Sequence, residues 1–338
     1  MRRVRRLART LGVFVLAGGL AFGPQSSSAA EPDGSRETVD LAALPRGPRP
    51  ATAYLVGATL HLPSGASRSL SFPQATLPAR LKLLGPSPRG WVIEDARYRL
   101  SRLYLVKGSR VTKFWTQRPG DNSFFRLGLN GTRVMELQNQ HITDSAAATV
   151  FDLDGNVVQR TRFNGHARLI SFTGHRAVVS ANRTWDWVIG QPKQPVSPTP
   201  SETADIRRNV LFVQDGDLGH GPTALGDPGV PAWHADFRPR LVSPDGSYVV
   251  GYTQDGRTLE IRDMTDGHVV RAISTGHRPG AALLWESDST LVFAVYAGSS
   301  TGRALLRCDV PGPCERATPW LYYMQLIGVP FQPPRYDP

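Results

Sequence analysis

The eighteen residues EIRDMTDGHVVRAISTGH, Glu260 to His277, hold three carboxylates (Glu260, Asp263, Asp266), two imidazoles (His268, His277) and two guanidiniums (Arg262, Arg271). Carboxylates and imidazoles at this density can exchange protons with a substrate or hold a cation. They can equally be the turn and strand punctuation of a repeated fold. A second copy decides for punctuation. In VFDLDGNVVQRTRFNGH, Asp152 and His166 stand fourteen residues apart, as do Asp263 and His277. Each copy also carries a turn glycine (Gly155, Gly267) followed by a Val-Val pair (Val157-Val158, Val269-Val270). Two catalytic sites of identical spacing in one chain are less plausible than two structural repeats. An Asp in a turn accepts backbone N–H bonds, and a His can bridge a turn to a neighbouring strand.

Chemistry is therefore sought in loops. QDGDLGHGPTALGDPGVP (Gln214 to Pro231) places Asp215, Asp217, His220 and Asp227 among closely set glycines and prolines. Asp-x-Asp suits a Ca²⁺ loop, although the further acidic positions and the closing Glu of an EF-hand are absent. Asp215, Asp217 and Asp227 are the candidate metal ligands, and no other cofactor is expected. The sequence contains no H-E-x-x-H helix, phosphate-cradling glycine loop or Cys-x-x-Cys pair. No catalytic residue is assigned. The tryptophans Trp115, Trp185, Trp187, Trp233, Trp285 and Trp320 could form a carbohydrate surface, but their scatter fits packing between strands better.

The first thirty residues read as a secretory signal peptide: five arginines without an acid, an apolar run from Leu11 to Phe22, and Ser28-Ala29-Ala30 before Glu31. The run is short of the ~20 residues a membrane-spanning helix needs. The expectation is a secreted or envelope-associated chain without stable membrane insertion after cleavage. Loss of those arginines lowers the net charge from +11 to +6. The remaining arginines are dispersed, so the clustered stripe of a nucleic-acid binder is missing. Cys308 and Cys314 bracket Pro-Gly-Pro, which in an exported chain reads as a disulfide clipping a hairpin.

The elements that must position all these residues are strands. After a polar, proline-rich leader (31–50), short apolar runs such as GWVIE, SRLYLV, ATVFDL, SYVVGY and TLVFAV alternate with Gly, Pro, Asp, Asn and Ser. Such spacing indicates an all-β fold. Turn signals at Ser87, Gly128, Phe172, Ser243 and Glu286 are separated by 41, 44, 71 and 43 residues. Intervals of roughly 40 to 45 residues match a four-stranded propeller blade. The long interval is read as one blade with an insertion at about 190–231, because its prolines and hydroxyl residues do not suit central strands. The expectation is a single β-propeller over 51–330, six blades preferred and seven the alternative, with a tail at 331–338. The apolar WLYYMQLIGV (Trp320 to Val329) would join the N-terminal strands in one blade and close the ring.

The two duplicated units resemble WD-repeat blades, in which an aromatic-Asp pair ends a strand, a Gly turn follows, and Gly-His introduces the next blade. Here Arg262-Asp263 replaces the aromatic-Asp pair, Gly267 is the turn and Gly276-His277 the final pair. The SPDG turn at Ser243 to Gly246 is similar to those of secreted bacterial TolB-like propellers. The resemblance implies a scaffold, most often a binding or interaction module; fold alone does not give function. The expected role is a monomeric, exported binding module for a protein or an envelope polymer. The alternative is a propeller hydrolase or lyase acting on polysaccharide or peptide. Circular dichroism of the chain from Glu31 onward should show a β spectrum, and substantial helix would refute the fold.

Overall fold

A computed structural model describes residues 36–326, apart from 74–76, 78–79, 98–99, 118–121, 141–142, 276–278, 280–281, 297–302 and 322–323. The expected signal peptide, His277 and the tail lie outside these residues. Among the described residues there is no α-helix, and no helix is long and apolar enough to cross a membrane.

The strands form seven sheets in chain order. The first holds Tyr54–Val56, Thr59–His61 and Ser67–Ser69, with Met324–Leu326 antiparallel to Tyr54–Val56. The second runs from Leu81–Ser87 to Arg110–Gln117 and the third from Asn122–Leu127 to Val157–Asn164, each with four strands. The fourth runs from Arg168–Phe172 to Gln194–Ser197. The fifth has only three strands: Ser201–Asp205, Val210–Gln214 and His220–Ala224. The sixth runs from Phe237–Val242 to Val269–Ser274, and the seventh from Leu283–Trp285 to Cys314–Arg316. Each sheet is antiparallel between successive strands, and the whole is a seven-bladed β-propeller.

Side chains alternate across every strand, so each sheet has two faces to cover. The neighbouring sheets cover them. Leu55 and Leu60 pack on Leu81 and Ile93 between the first and second sheets. Val92 and Leu103 meet Phe125 and Phe151 between the second and third. The same relation recurs around the chain through Phe163 with Trp187, Val178 with Leu211, Phe212 with Phe237, and Val250 with Phe293. Tyr54 also packs with Val292 and Leu305, so the first and seventh sheets share a cluster.

The preferred count of six is corrected to seven, because 190–231 is not an insertion. Pro195 lies in the outermost strand of the fourth sheet and Pro222 in that of the fifth. Proline is tolerated in an outermost strand, beyond which no full ladder continues. Ser201–Asp205 is an innermost strand despite its polarity, and Ser201, Thr203 and Asp205 are buried. Hydrogen bonds replace apolar contact. Thr184 Oγ1 donates to Ser201 Oγ at 2.8 Å, Thr203 Oγ1 donates to the Arg240 carbonyl at 3.0 Å, and Arg208 Nη1 donates to Asp205 at 2.6 Å. A hydropathy pattern cannot register a strand stabilised this way.

The expected leader also belongs to the fold from Arg36 onward. Arg36–Thr38 adds a parallel fifth strand to Val269–Ser274. Val39 is buried in the core between the sixth and seventh sheets, and Arg316 N donates to the Pro45 carbonyl at 2.9 Å.

Cys308 and Cys314 form the expected disulfide across the last strand pair. Removing it through Cys308→Ser/Cys314→Ser should lower stability by about 2 kcal/mol, given so short a closed loop. Gly267 has φ of +78°, and a Cβ there would come 2.5 Å from the Trp233 ring. Gly267→Ala should therefore cost more than about 1 kcal/mol. Urea denaturation of the two variants against the native chain measures both.

Candidate functional site

In both copies the described carboxylates of the duplicated motif hold turns. Asp152 accepts bonds from the Asp154 and Asn156 amides at 2.9 Å and from Asn156 Nδ2 at 3.0 Å. These bonds outweigh burial and hold its carboxyl below the usual range. Asp263 accepts from the Thr265 amide at 2.7 Å. Arg262, standing where the resembled repeat has an aromatic residue, lies over the Phe237 ring at 5.1 Å and donates to the Gly267 carbonyl at 2.8 Å. The guanidinium thus supplies both the flat contact and a clamp on the turn. Asp266 accepts from the His268 amide at 3.0 Å and pairs with its Nδ1 at 2.6 Å. Ligand atoms of Asp263, Asp266 and His268 lie within 4.8 Å of one another on an exposed turn.

The loop candidates are dispersed. Asp215 pairs with His234 Nε2 at 2.9 Å, Asp217 sits in a single 3-10 turn, Gly216–Leu218, and Asp227 is exposed. His220 is buried and bridges to Ala235 through backbone bonds in both directions. Burial lowers its pKa below the usual imidazole value. The tryptophans pack as expected: Trp115 stacks on Phe151 at 4.2 Å, Trp185 and Trp187 meet Phe163 edge-on, and Trp233 contacts Phe212 and Phe237.

Two constellations emerge that the sequence pattern did not single out. The first is a run of arginines on the innermost strands, the strands whose neighbours are the first strands of adjacent sheets. Arg126 Nη1 donates to the Leu169 carbonyl at 3.3 Å, joining the third and fourth sheets. Arg168 joins the fourth and fifth, donating to Glu202 Oε2 at 2.8 Å and to the Ser201 and Glu202 carbonyls at 2.8 and 3.0 Å. Arg240, on the sixth, reaches the same Glu202 oxygen at 3.7 Å and lies over the Tyr252 ring at 5.9 Å. Arg238 bonds Gln254 at 2.9 Å. Desolvation lowers Arg126 to about 10. It also lowers Arg240 against the pull of Glu202. Burial opposes ionisation of Glu202, but Arg168 and Arg240 overcome it and hold the carboxyl below the usual range. Two arginines, Arg168 and Arg240, thus share one carboxylate, while Arg126 and Arg238 bond to neutral acceptors, leaving an excess of positive charge.

The second constellation is a groove of about 510 Å³ between the second and third sheets. It follows from alternation along RVMELQNQ. Val134 faces the apolar cluster shared with the second sheet, so Glu136, Gln138 and Gln140 point the same way. Opposite them, Glu94 shares its face with Val92 and accepts a bond from Ser101 at 3.3 Å. One end of this interface is therefore apolar and the other polar. Trp115 and Gln117 contribute from the outer strand of the second sheet, and Arg160 and Arg162 from that of the third.

Glu136 is 3% exposed, and its Oε1 has no hydrogen-bond partner among the described residues. Burial raises its pKa to about 7; Ser123 and Arg160 oppose the shift and Glu94 adds to it. Glu94 is likewise pushed up by burial, with Lys82 at 3.6 Å opposing.

No protein-family model matches the chain, and no curated protein matches its sequence. Solved β-propellers match its fold. The AfRom2 CNH domain superposes with a TM-score of 0.51 at 11% identity, covering 78% of this chain and 97% of that one. A chain of the Mitotic Checkpoint Complex gives 0.51 at 9% identity, covering 71% and 80%. Kluyveromyces lactis Hsv2p gives 0.46 at 14% identity, covering 65% and 71%. Identities this low establish the propeller class and nothing narrower.

A carboxyl whose pKa is higher folded than unfolded binds its proton more readily in the native state, so its contribution to stability falls as pH rises between the two values. For Glu136 the window runs from its ordinary 4.5 to about 7. Glu136→Gln should leave stability unchanged near the bottom of that window. It should raise stability above the top by on the order of 3 kcal/mol. Urea midpoints of the two proteins across that range test the sign.

Proposed function

We propose that this chain is an exported β-propeller serving as a non-enzymatic binding module at or outside the cell envelope, with an anionic protein segment or envelope polymer as its partner. The observation that carries this reading is the excess of arginine on innermost strands: Arg168 and Arg240 share the carboxylate Glu202, and Arg126 and Arg238 bond only to a carbonyl and a carboxamide. A surface of one sign attracts ligands of the other. The resemblance to a chain from a multi-protein complex supports a protein partner. The charge pattern and small-residue site ahead of Glu31 support export. The pairing of Met324–Leu326 with Tyr54–Val56 and the Tyr54–Val292–Leu305 cluster support a ring closed by the two ends of the chain in one blade.

The second reading, a hydrolase or lyase acting on polysaccharide or peptide, draws on the same convergence of Arg, Glu and His. Proton transfer at neutral pH favours a carboxyl raised toward 7. Glu202 is shifted the other way by its arginines, which suits charge recognition better than acid catalysis.

Capture from native envelope and medium tests the proposal. Arg126→Gln/Arg238→Glu should reduce the captured partner at least roughly tenfold, and added salt should reduce capture by the native protein. Unchanged capture by the variant would reject the arginine wall as the contact. Mass spectrometry of exported protein should find Glu31 at its N-terminus.

A further inference from the structure

The groove between the second and third sheets has no role in the reading above. Its walls are costly as mere packing. Glu136, Gln138 and Gln140 occupy three successive positions on one face of a strand interior, where the opposite face carries Met135 and Leu137 in an apolar cluster. Burying polar groups without full pairing destabilises a fold. Such a stripe is expected where a site is built at the expense of stability.

The chemistry of the walls narrows the ligand. Carboxamides donate and accept at once, as hydroxyl groups do. Gln117, Gln138 and Gln140 therefore suit a ligand bearing several hydroxyls, and Glu136 offers an acceptor or, when protonated, a donor beside them. At the rim, Arg160 and Arg162 stand two residues apart on the outermost strand, both exposed. Two exposed guanidiniums at the mouth, with Arg160 also within electrostatic reach of Glu136, favour an anionic substituent, carboxylate or phosphate. A nucleobase is a poorer fit, because Trp115, the aromatic residue of the lining, is already stacked on Phe151 at 4.2 Å. The volume of about 510 Å³ suits a small molecule.

We propose that this groove binds an acidic sugar residue, its hydroxyls held by Glu136 and the three glutamines and its anionic substituent by Arg160 and Arg162. The site is separate from the arginine wall of the innermost strands, so either can fail without the other.

Isothermal titration of the purified protein with D-glucuronate, D-glucose 6-phosphate and D-glucose tests the assignment. At least one acidic probe should bind roughly tenfold or more tightly than glucose, equivalent to about 1.4 kcal/mol. Which acidic probe binds identifies carboxylate or phosphate as the substituent. Gln138→Leu should weaken every probe that binds, whereas Arg160→Ala/Arg162→Ala should abolish the preference for the acidic ones. Both arginines are exposed, so the double variant keeps the fold, which its urea midpoint verifies. Equal affinity for the three probes, no heat from any of them, or unchanged binding by Gln138→Leu would overturn the proposal.

Discussion

The constraint on which this structure depends is that no sheet can cover its own two faces. Strand alternation sends side chains to both sides, and each side is buried only when the next sheet in the chain arrives. Leu55 needs Leu81, Val92 needs Phe125, Phe163 needs Trp187, and Tyr54 needs Leu305. The last of these contacts joins the first sheet to the seventh. Stability is thus distributed over the seams between blades, and the peripheral devices reinforce the seams where the chain begins and ends. Arg36–Thr38 extends the sixth sheet, and the disulfide pins the outermost strand of the seventh.

Towards the innermost strands, apolar packing gives way to charge and hydrogen bonding. Arg126, Arg168 and Arg240 stitch the third to sixth sheets through carbonyls and Glu202, and Thr203 adds a bond to the Arg240 carbonyl. Residues that hold the strands in place are therefore the same ones that create positive potential there. This dual use links architecture to the proposed recognition of an anionic partner. The register shifts at Leu83/Gly85, Leu169/Ser171, Ser201/Thr203 and Pro239/Leu241 recur on innermost strands. Bulges there increase the local twist.

The seam between the second and third sheets departs from the rule in a single direction. Phe125, Val134 and Phe151 seal one end, whereas Glu136 faces Glu94 across the other and both carboxyls are driven toward neutrality by burial. The wedge between blades leaves a groove that its own side chains do not fill. The two surfaces proposed for binding thus differ in kind: the charged innermost strands, and a polar seam between the second and third sheets.

Much of the fold was legible because it rests on short-range patterns. Alternation and turn glycines identified strands, the duplicated Asp-Gly-Val-Val unit identified a repeat, and Cys308 and Cys314 identified a clip; these depend on neighbours in the chain and on backbone geometry at Gly155 and Gly267. The fifth blade was illegible because Ser201–Asp205 is held by hydrogen bonds with Thr184 and Ser180 of the fourth sheet, residues whose proximity follows only from folding. Polar composition there mimicked a loop. The candidate sites were illegible for the same reason. Arg126, Arg168 and Arg240 are scattered through the sequence, and nothing in MELQNQ says that its polar face meets Glu94 rather than water. Local pattern determined that the chain is a propeller of β-blades. Only tertiary structure decided how many blades there are and where unlike side chains converge, because burial and electrostatics act through space between segments the sequence keeps apart.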